Sequence, residues 1–244
     1  MAIVLIGGEK GGAGNTTIAV HLAANRARAG RDVMLVDADR QGSASNWVAL
    51  RDETDAPRIE CVSLQGKGMV TQVRELAKRH DEIIIDTGGQ DSVELRGAMT
   101  TAHRMIIPVQ ASLFDTWTID SMAKLVEEAS GFNPELYAYA CINRASTNPR
   151  VREADEAREL IGDYDNLGFL TTILCDRIAY RRAVRTGHSV EENSDDPQAA
   201  AEISHLASEI YRSMSSPPHH PARPNKPKKE PNPPDQSAPP IIPT

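Results

Sequence analysis

The chain has 244 residues, 40% of them hydrophobic and 25% charged, enough for one large domain or two small ones with a substantial core. A formal net charge of −7 excludes a protein that coats nucleic acid over its whole surface, and leaves room for a local basic patch. Aromatic residues are only 4% of the chain, so the core must rest on Ala, Val, Ile and Leu, a composition that suits buried parallel strands covered by helices.

Apolar run, glycine-rich turn and helix recur along the chain. Ala2 to Ile6 predicts a short buried strand, and the segment from about Thr16 to Ala29 a helix ended by Gly30. Val33 to Val36 is a second expected strand closing on Asp37, and Ile59 to Ser63 a weaker one. Helical spacing returns over Val70 to His80. Strands are expected at Glu82 to Ile85, ending on Asp86, and at Met105 to Val109. Asp115 to Ser130 is helical in pattern, Tyr137 to Ile142 a strand ending on Asn143, and Arg150 to Ile161 a polar surface helix. Phe169 to Leu174 is the last expected strand, followed by helices near Tyr180 to Arg185 and Pro197 to Met214. Such alternation predicts an α/β fold, a mostly parallel twisted sheet with helices on both faces. Ligands in these sheets sit at the carboxyl ends of the strands, and Asp37, Asp86 and Asn143 all stand there.

Two units are expected: a folded domain over 1–214 and a tail over 215–244. The tail is dense in proline and without apolar period, so it reads as disordered and partly polyproline. Its His219 and His220 are not expected to bind metal. No apolar stretch approaches the roughly 20 residues of a spanning helix, and the apolar start has no basic segment before it. The expected compartment is the cytoplasm. Cys61, Cys141 and Cys175 form no C-x-x-C pair, which excludes a zinc ribbon or thioredoxin-like site; buried, reduced thiols are expected.

The chemistry is carried by Lys10-Gly11-Gly12-Ala13-Gly14-Asn15-Thr16-Thr17, between a strand and a helix. In such a turn successive backbone N–H groups cradle phosphate oxygens, and the following helix adds its positive end. Thr16 is placed to bring a hydroxyl to Mg²⁺, and Thr17 to approach the α-phosphate.

This octet resembles the deviant Walker A motif, K-G-G-x-G-K-T-T, of ParA and MinD ATPases. The resemblance runs on over roughly residues 2 to 212. Asp37-Ala38-Asp39-Arg40-Gln41-Gly42 is similar to the family's D-x-D-P-Q-G switch. Asp86-Thr87-Gly88-Gly89 is similar to its Walker B segment, and Cys141-Ile142-Asn143-Arg144 to the strand end that holds adenine. It implies a P-loop NTPase that hydrolyses ATP with Mg²⁺. Lys10 would reach a partner subunit's phosphates across an ATP-dependent homodimer, and Asp39 would orient the attacking water. Asp37 and Asp86, with Thr16, would hold Mg²⁺ directly or through water, and Asn143 and Arg144 would meet the base. It further implies non-specific DNA binding, nucleoid association in the ATP state, and a ParB-like or adaptor protein that triggers hydrolysis, a cycle that positions plasmids, chromosome origins or protein assemblies. Phe114 to Trp117 would lie near the dimer interface; Trp47 reads as a packing or interface residue.

Two departures stand out. Arg40 replaces a proline of the switch. Asn15 stands where the family has the P-loop lysine, and an amide cannot supply its charge. A charge-assisted hydrogen bond is worth roughly 1.5–3 kcal/mol, so its loss would weaken nucleotide binding by about one to two decades. Compensation by Lys10, binding with poor hydrolysis, and an inactive variant all stay open.

The best candidate for a DNA surface is Arg177, Arg181, Arg182 and Arg185, four arginines in nine residues with no acid between them. A solvated basic face is the plain alternative. The first strand begins at residue 2, which leaves no room before it for the helix-turn-helix domain of some ParA proteins. A MinD-like membrane helix needs an amphipathic C-terminus, which the proline-rich tail opposes. A synthetase on the same fold is disfavoured by Lys10 and the D-x-D-x-Q switch, and an iron–sulfur carrier by the scattered cysteines. A regulator that has lost hydrolysis remains the main competitor. Gln90 and Asp91 read as either γ-phosphate sensors or a helix cap.

Overall fold

The computed structural model describes residues 1–110, 116–148, 153–193 and 195–215. The expected tail, Phe114, Asp115 and the start of the predicted helix at Arg150 lie outside the described residues, as does the side chain of Trp117.

Seven strands form one parallel sheet in the order β3-β2-β4-β1-β5-β6-β7. They are β1 (Ala2–Ile6), β2 (Val33–Asp37), β3 (Glu60–Ser63), β4 (Glu82–Asp86), β5 (Arg104–Gln110), β6 (Tyr137–Asn143) and β7 (Leu167–Phe169). The helices are α1 (Asn15–Arg28), α2 (Ser43–Arg51), α3 (Met69–Leu76), α4 (Val93–Met99), α5 (Thr116–Ser130), α6 (Glu153–Ile161), α7 (Ile178–Val184) and α8 (Pro197–Ser215). The fold is the α/β arrangement, a parallel sheet with helices on both faces, that the alternation predicted.

Side chains alternate across each strand, so β1 feeds two cores. Val4 and Ile6 join Ile18, Leu22, Trp47, Tyr180 and Ile203 on the face covered by α1, α2, α7 and α8. Ile3 and Leu5 join residues of α3, α4, α5 and α6 on the other. The topology reverses at β1, whose neighbours are β4 and β5. The crevice at that switch point is where an open α/β sheet receives a ligand.

Two short helices were not expected. In α2 the Ser and Asn residues at its start read as loop formers. In α4, seven residues long, Gly97 interrupts the pattern, and a Cβ there would lie 3.1 Å from the Val70 side chain of α3. The last strand is corrected: β7 covers Leu167–Phe169, not Phe169 to Leu174. The reason is local. The Glu209 carboxylate of α8 accepts the backbone N–H of Thr171 at 2.6 Å and of Thr172 at 3.0 Å, so these donors leave the ladder. The cysteines are free, but only Cys141 is buried; Cys61 and Cys175 are half-buried. Trp47 is a packing residue, buried with its indole N–H donating to His188 O at 3.3 Å.

Candidate nucleotide site

The glycine-rich turn leaves β1 at Ile6 and is fastened to three neighbouring strand ends. From β6, the Asn143 amide donates to Ala13 O at 2.6 Å; from β5, the Gln110 amide donates to Gly12 O at 2.9 Å. The Asn15 amide donates to Thr87 O, just past β4, at 2.9 Å. With these carbonyls drawn back onto the scaffold, the turn's N–H groups and those of the first turn of α1 are the donors offered to an anion. Gly14 caps α1 without a side-chain acceptor, and no acid stands in the first turn. Gly14 is at φ 100°, and a Cβ on it would come 2.3 Å from Asn143 Nδ2. Only glycine lets the helix start there and keeps the Asn143 bond. Lys10 is exposed, Thr16 and Thr17 half-buried, and Gly11 and Gly12 open to solvent.

Asp37 and Asp86 face each other in register at the ends of β2 and β4, both fully buried. Their environments differ. Asp37 accepts the Ser45 N–H of α2 at 2.7 Å and the Asp39 N–H at 3.3 Å, so it serves in part as a cap. Neither oxygen of Asp86 has a well-formed hydrogen bond. Burial pushes the Asp86 carboxyl up to about 8; the nearby Thr16 hydroxyl opposes this, and Asp37 and Asp39 add to it. A buried carboxylate without partners is costly, and a cation between it and Thr16 would relieve it. Among the described residues no cluster of three His, Cys, Asp or Glu side chains could hold a metal alone. That fits Mg²⁺, which takes one or two carboxylates and completes its shell with water and phosphate.

The raised Asp86 pKa carries a sign. Its folded value lies above the unfolded one, so the folded state binds the extra proton. That stability is complete below the ordinary aspartate range and is lost as pH rises through about 8. In the ligand-free chain, Asp86→Asn should flatten the fall of the unfolding midpoint with pH over this window. A fall parallel to the wild type in thermal melts would contradict the assignment.

Asp39 sits over the turn that follows β4: a Cβ on Gly88 would be 3.3 Å from its carboxylate. Its Oδ1 accepts the Gln41 N–H at 3.0 Å. Asp91 pairs with Arg96 at 2.7 Å, and Ser92, not Asp91, caps α4 by accepting Leu95 N–H at 3.0 Å.

Beside the turn, Asn143, Arg144, Thr17, Leu174 and Tyr180 line a pocket. Arg144 adopts φ 55°, a left-handed conformation uncommon outside glycine. Arg177 and Arg181 also line this pocket, so the four-arginine stripe divides. Arg177 is only 15% exposed and pairs with Glu202 at 2.8 Å and Asp196 at 3.5 Å. Arg181 pairs with Asp176 at 2.8 Å. Asp196 and Glu202 are brought in by the fold, whereas Asp176 directly precedes the stripe in sequence. Arg181, Arg182 and Arg185 are all exposed; Arg177 is the half-buried member.

Sequence reasoning missed Gln110, Thr87 and the bond from Ser121 of α5 to Glu9 at 2.7 Å. Gln110 had a signal: an amide ending the apolar run Ile106 to Val109 is the same kind of mark as Asp37 or Asp86.

Comparison with known proteins bears on the family and the fold. Residues 4–190 match the CobQ/CobB/MinD/ParA nucleotide binding domain. The chromosome-partitioning ATPase Soj of Thermus thermophilus is 27% identical over 161 residues, covering 54% of this chain and 65% of that protein. Matches to the next two curated relatives span 61% and 51% of their lengths. Among solved structures, an ATP complex of a Cyanothece McdA variant superposes with TM-score 0.70 at 14% identity, covering 86% of this chain and 96% of that one. The cobyrinic acid a,c-diamide synthase of Mycobacterium smegmatis, solved with an ATP analogue and magnesium, gives 0.70 at 17%, covering 88% and 96%. At these identities the structures speak for the fold. No helix among the described residues is long and apolar enough to cross a membrane.

Proposed function

Since this chain belongs to the CobQ/CobB/MinD/ParA nucleotide-binding domain family, we propose that it is a ParA-type switch driven by Mg²⁺–ATP. In this reading it dimerises around ATP, binds DNA without sequence preference, and positions or segregates a cargo. A ParB-like or adaptor protein stimulates hydrolysis. It works in the cytoplasm, on the nucleoid when ATP-bound, through a domain over 1–214 that carries 215–244 as an appended tail.

The observation that carries the reading is Asp86, its carboxylate buried without good partners beside Thr16 at the mouth of an uncapped helix. Bound Mg²⁺ would neutralise phosphate charge during transfer. The chain's own residues do the rest. The N–H groups of Gly11 to Thr17 bind phosphate oxygens, Thr16 and Asp86 hold the cation with Asp37 beside them, and Asn143 and Arg144 meet the base. Asp39, over the Gly88 turn, orients the attacking water. Lys10 is the loop's cation for a second copy's phosphates.

Asn15 favours one second reading, a ParA-like regulator that binds nucleotide and hydrolyses it poorly. Its amide is engaged with Thr87 O, so position 15 ties the loop to β4 and brings no charge to the β- and γ-phosphates. Asp39→Ala separates chemistry from binding. ATP turnover should fall by about a hundred-fold or more, the scale of losing one group that acts on the transferring phosphoryl, while Mg²⁺–ATP still holds the dimer. A variant that stays monomeric at saturating ATP would refute the sandwich dimer.

The DNA surface is tested at Arg182 and Arg185, two exposed arginines of the stripe. Changing both to Glu should weaken duplex binding and make the slope of log affinity against log salt shallower by about 1.8, at about 0.9 per phosphate contact. An unchanged slope in a salt titration would remove α7 from the interface.

A further inference from the structure

We propose that Glu202, on α8, is a positioning residue for the base of the bound nucleotide; this rests on reading the cleft as a nucleotide site. The pocket beside the glycine-rich turn has one wall from the β6 end, Asn143 and Arg144, and an opposite wall from residues 174–181. That second wall lies beyond β7, where backbone donors turn to side chains of α8. Glu202 fixes it at three points. Its Oε2 accepts the Cys175 N–H at 3.1 Å and the Tyr180 hydroxyl at 2.7 Å, and its Oε1 accepts Arg177 Nε at 2.8 Å. All three donor residues line the pocket. The Glu202 side chain is 13% exposed and is not among the lining residues, so it acts through the wall.

Tyr180 is held from its other side as well. The His21 ring meets it edge-on at 5.2 Å, and His21 Nδ1 lies 2.7 Å from Thr17 O in the first turn of α1. A flat heteroaromatic base is recognised by fixed polar groups at one distance and angle. A wall freed from Glu202 would lose that placement and leave the phosphate cradle, which hangs on Asn143, Gln110 and Asn15, as it was.

The test compares two ligands on the full chain by calorimetric titration: Mg²⁺–ATP, and Mg²⁺–tripolyphosphate, which has the phosphates and no base. Glu202→Gln should weaken ATP by about ten-fold, the effect of one charge-assisted hydrogen bond, and leave tripolyphosphate unchanged. Equal loss on both ligands, or none on either, overturns the inference while the nucleotide reading stands. A wild-type chain that binds neither ligand overturns the nucleotide reading itself, and the inference with it. Should Glu202→Gln fail to fold, Tyr180→Phe deletes only the hydroxyl and carries the same test, with ATP alone weakened if Glu202 positions the wall and both or neither if it does not.

Discussion

Gly89→Ala should weaken Mg²⁺–ATP binding by about one to two decades, since overpacking a tight contact costs about 1–3 kcal/mol and the only relief is to move the phosphate loop. The expectation rests on what a single methyl group would meet. A Cβ on Gly89 would stand 2.4 Å from Gly11 N and Cα and 2.5 Å from Lys10 O. These are backbone atoms of the loop, and no rotamer change moves them away. The turn after β4 and the phosphate loop are therefore in backbone contact at the point where Lys10 leaves the scaffold. Gly88→Ala is the internal control. Its methyl would meet the Asp39 carboxylate at 3.3 Å, the end of a side chain able to yield, so binding should change little while turnover falls if Asp39 orients the water. Titration of both variants, with a thermal melt to confirm folding, separates the two. Equal affinities would mean that the loop is free to shift.

Arg51→Ala should destabilise the fold by about 3–5 kcal/mol, the cost of leaving one partner of a buried ion pair alone. Arg51 is 1% exposed. Its guanidinium donates to both Glu192 oxygens, at 2.6 and 2.9 Å, and to Gly187 O at 3.1 Å and Pro57 O at 2.9 Å. It thereby staples α2 to the segment between α7 and α8. Burial acts to raise the Glu192 pKa, but Arg51 and the Ser189 N–H outweigh it and hold the carboxyl below its ordinary value. The sign follows. Stability from Glu192 is complete above the ordinary glutamate range and is lost as pH falls through the lowered folded value. In Arg51→Ala that carboxylate loses its partner, so the gap between wild type and variant should narrow as pH falls through the same window. Urea unfolding at neutral and acid pH measures it; a gap independent of pH would show that packing, not charge, carries the loss.

The strand ends were the legible part of this molecule. Asp37, Asp86 and Asn143 interrupt apolar runs, and a polar residue there has little reason to sit except to face a ligand crevice or cap a neighbour; Asp37 does the second in part. The phosphate loop was legible from its glycines, but the bonds that hold it were not, because Gln110, Asn143 and Thr87 reach it from 98, 130 and 72 residues away. Tertiary partners also explain why the stripe divides. Arg177 looked unopposed in sequence, yet Asp196 and Glu202 arrive from beyond α7 once α8 packs down. The misplaced β7 has the same origin: residues 170–174 have the composition of a strand, and a carboxylate on α8 takes the N–H groups of Thr171 and Thr172. Asn15 could be read as a missing lysine, while its bond to Thr87 O required the fold.

The central claim is that Mg²⁺–ATP binds at this loop and joins two copies of the chain. Titration of the full chain with Mg²⁺–ATP, with molar mass followed by light scattering on the same sample, tests it most directly. Saturable binding accompanied by a doubling of mass is the predicted result. Absence of binding at millimolar ATP, or binding that leaves the mass unchanged, would contradict it.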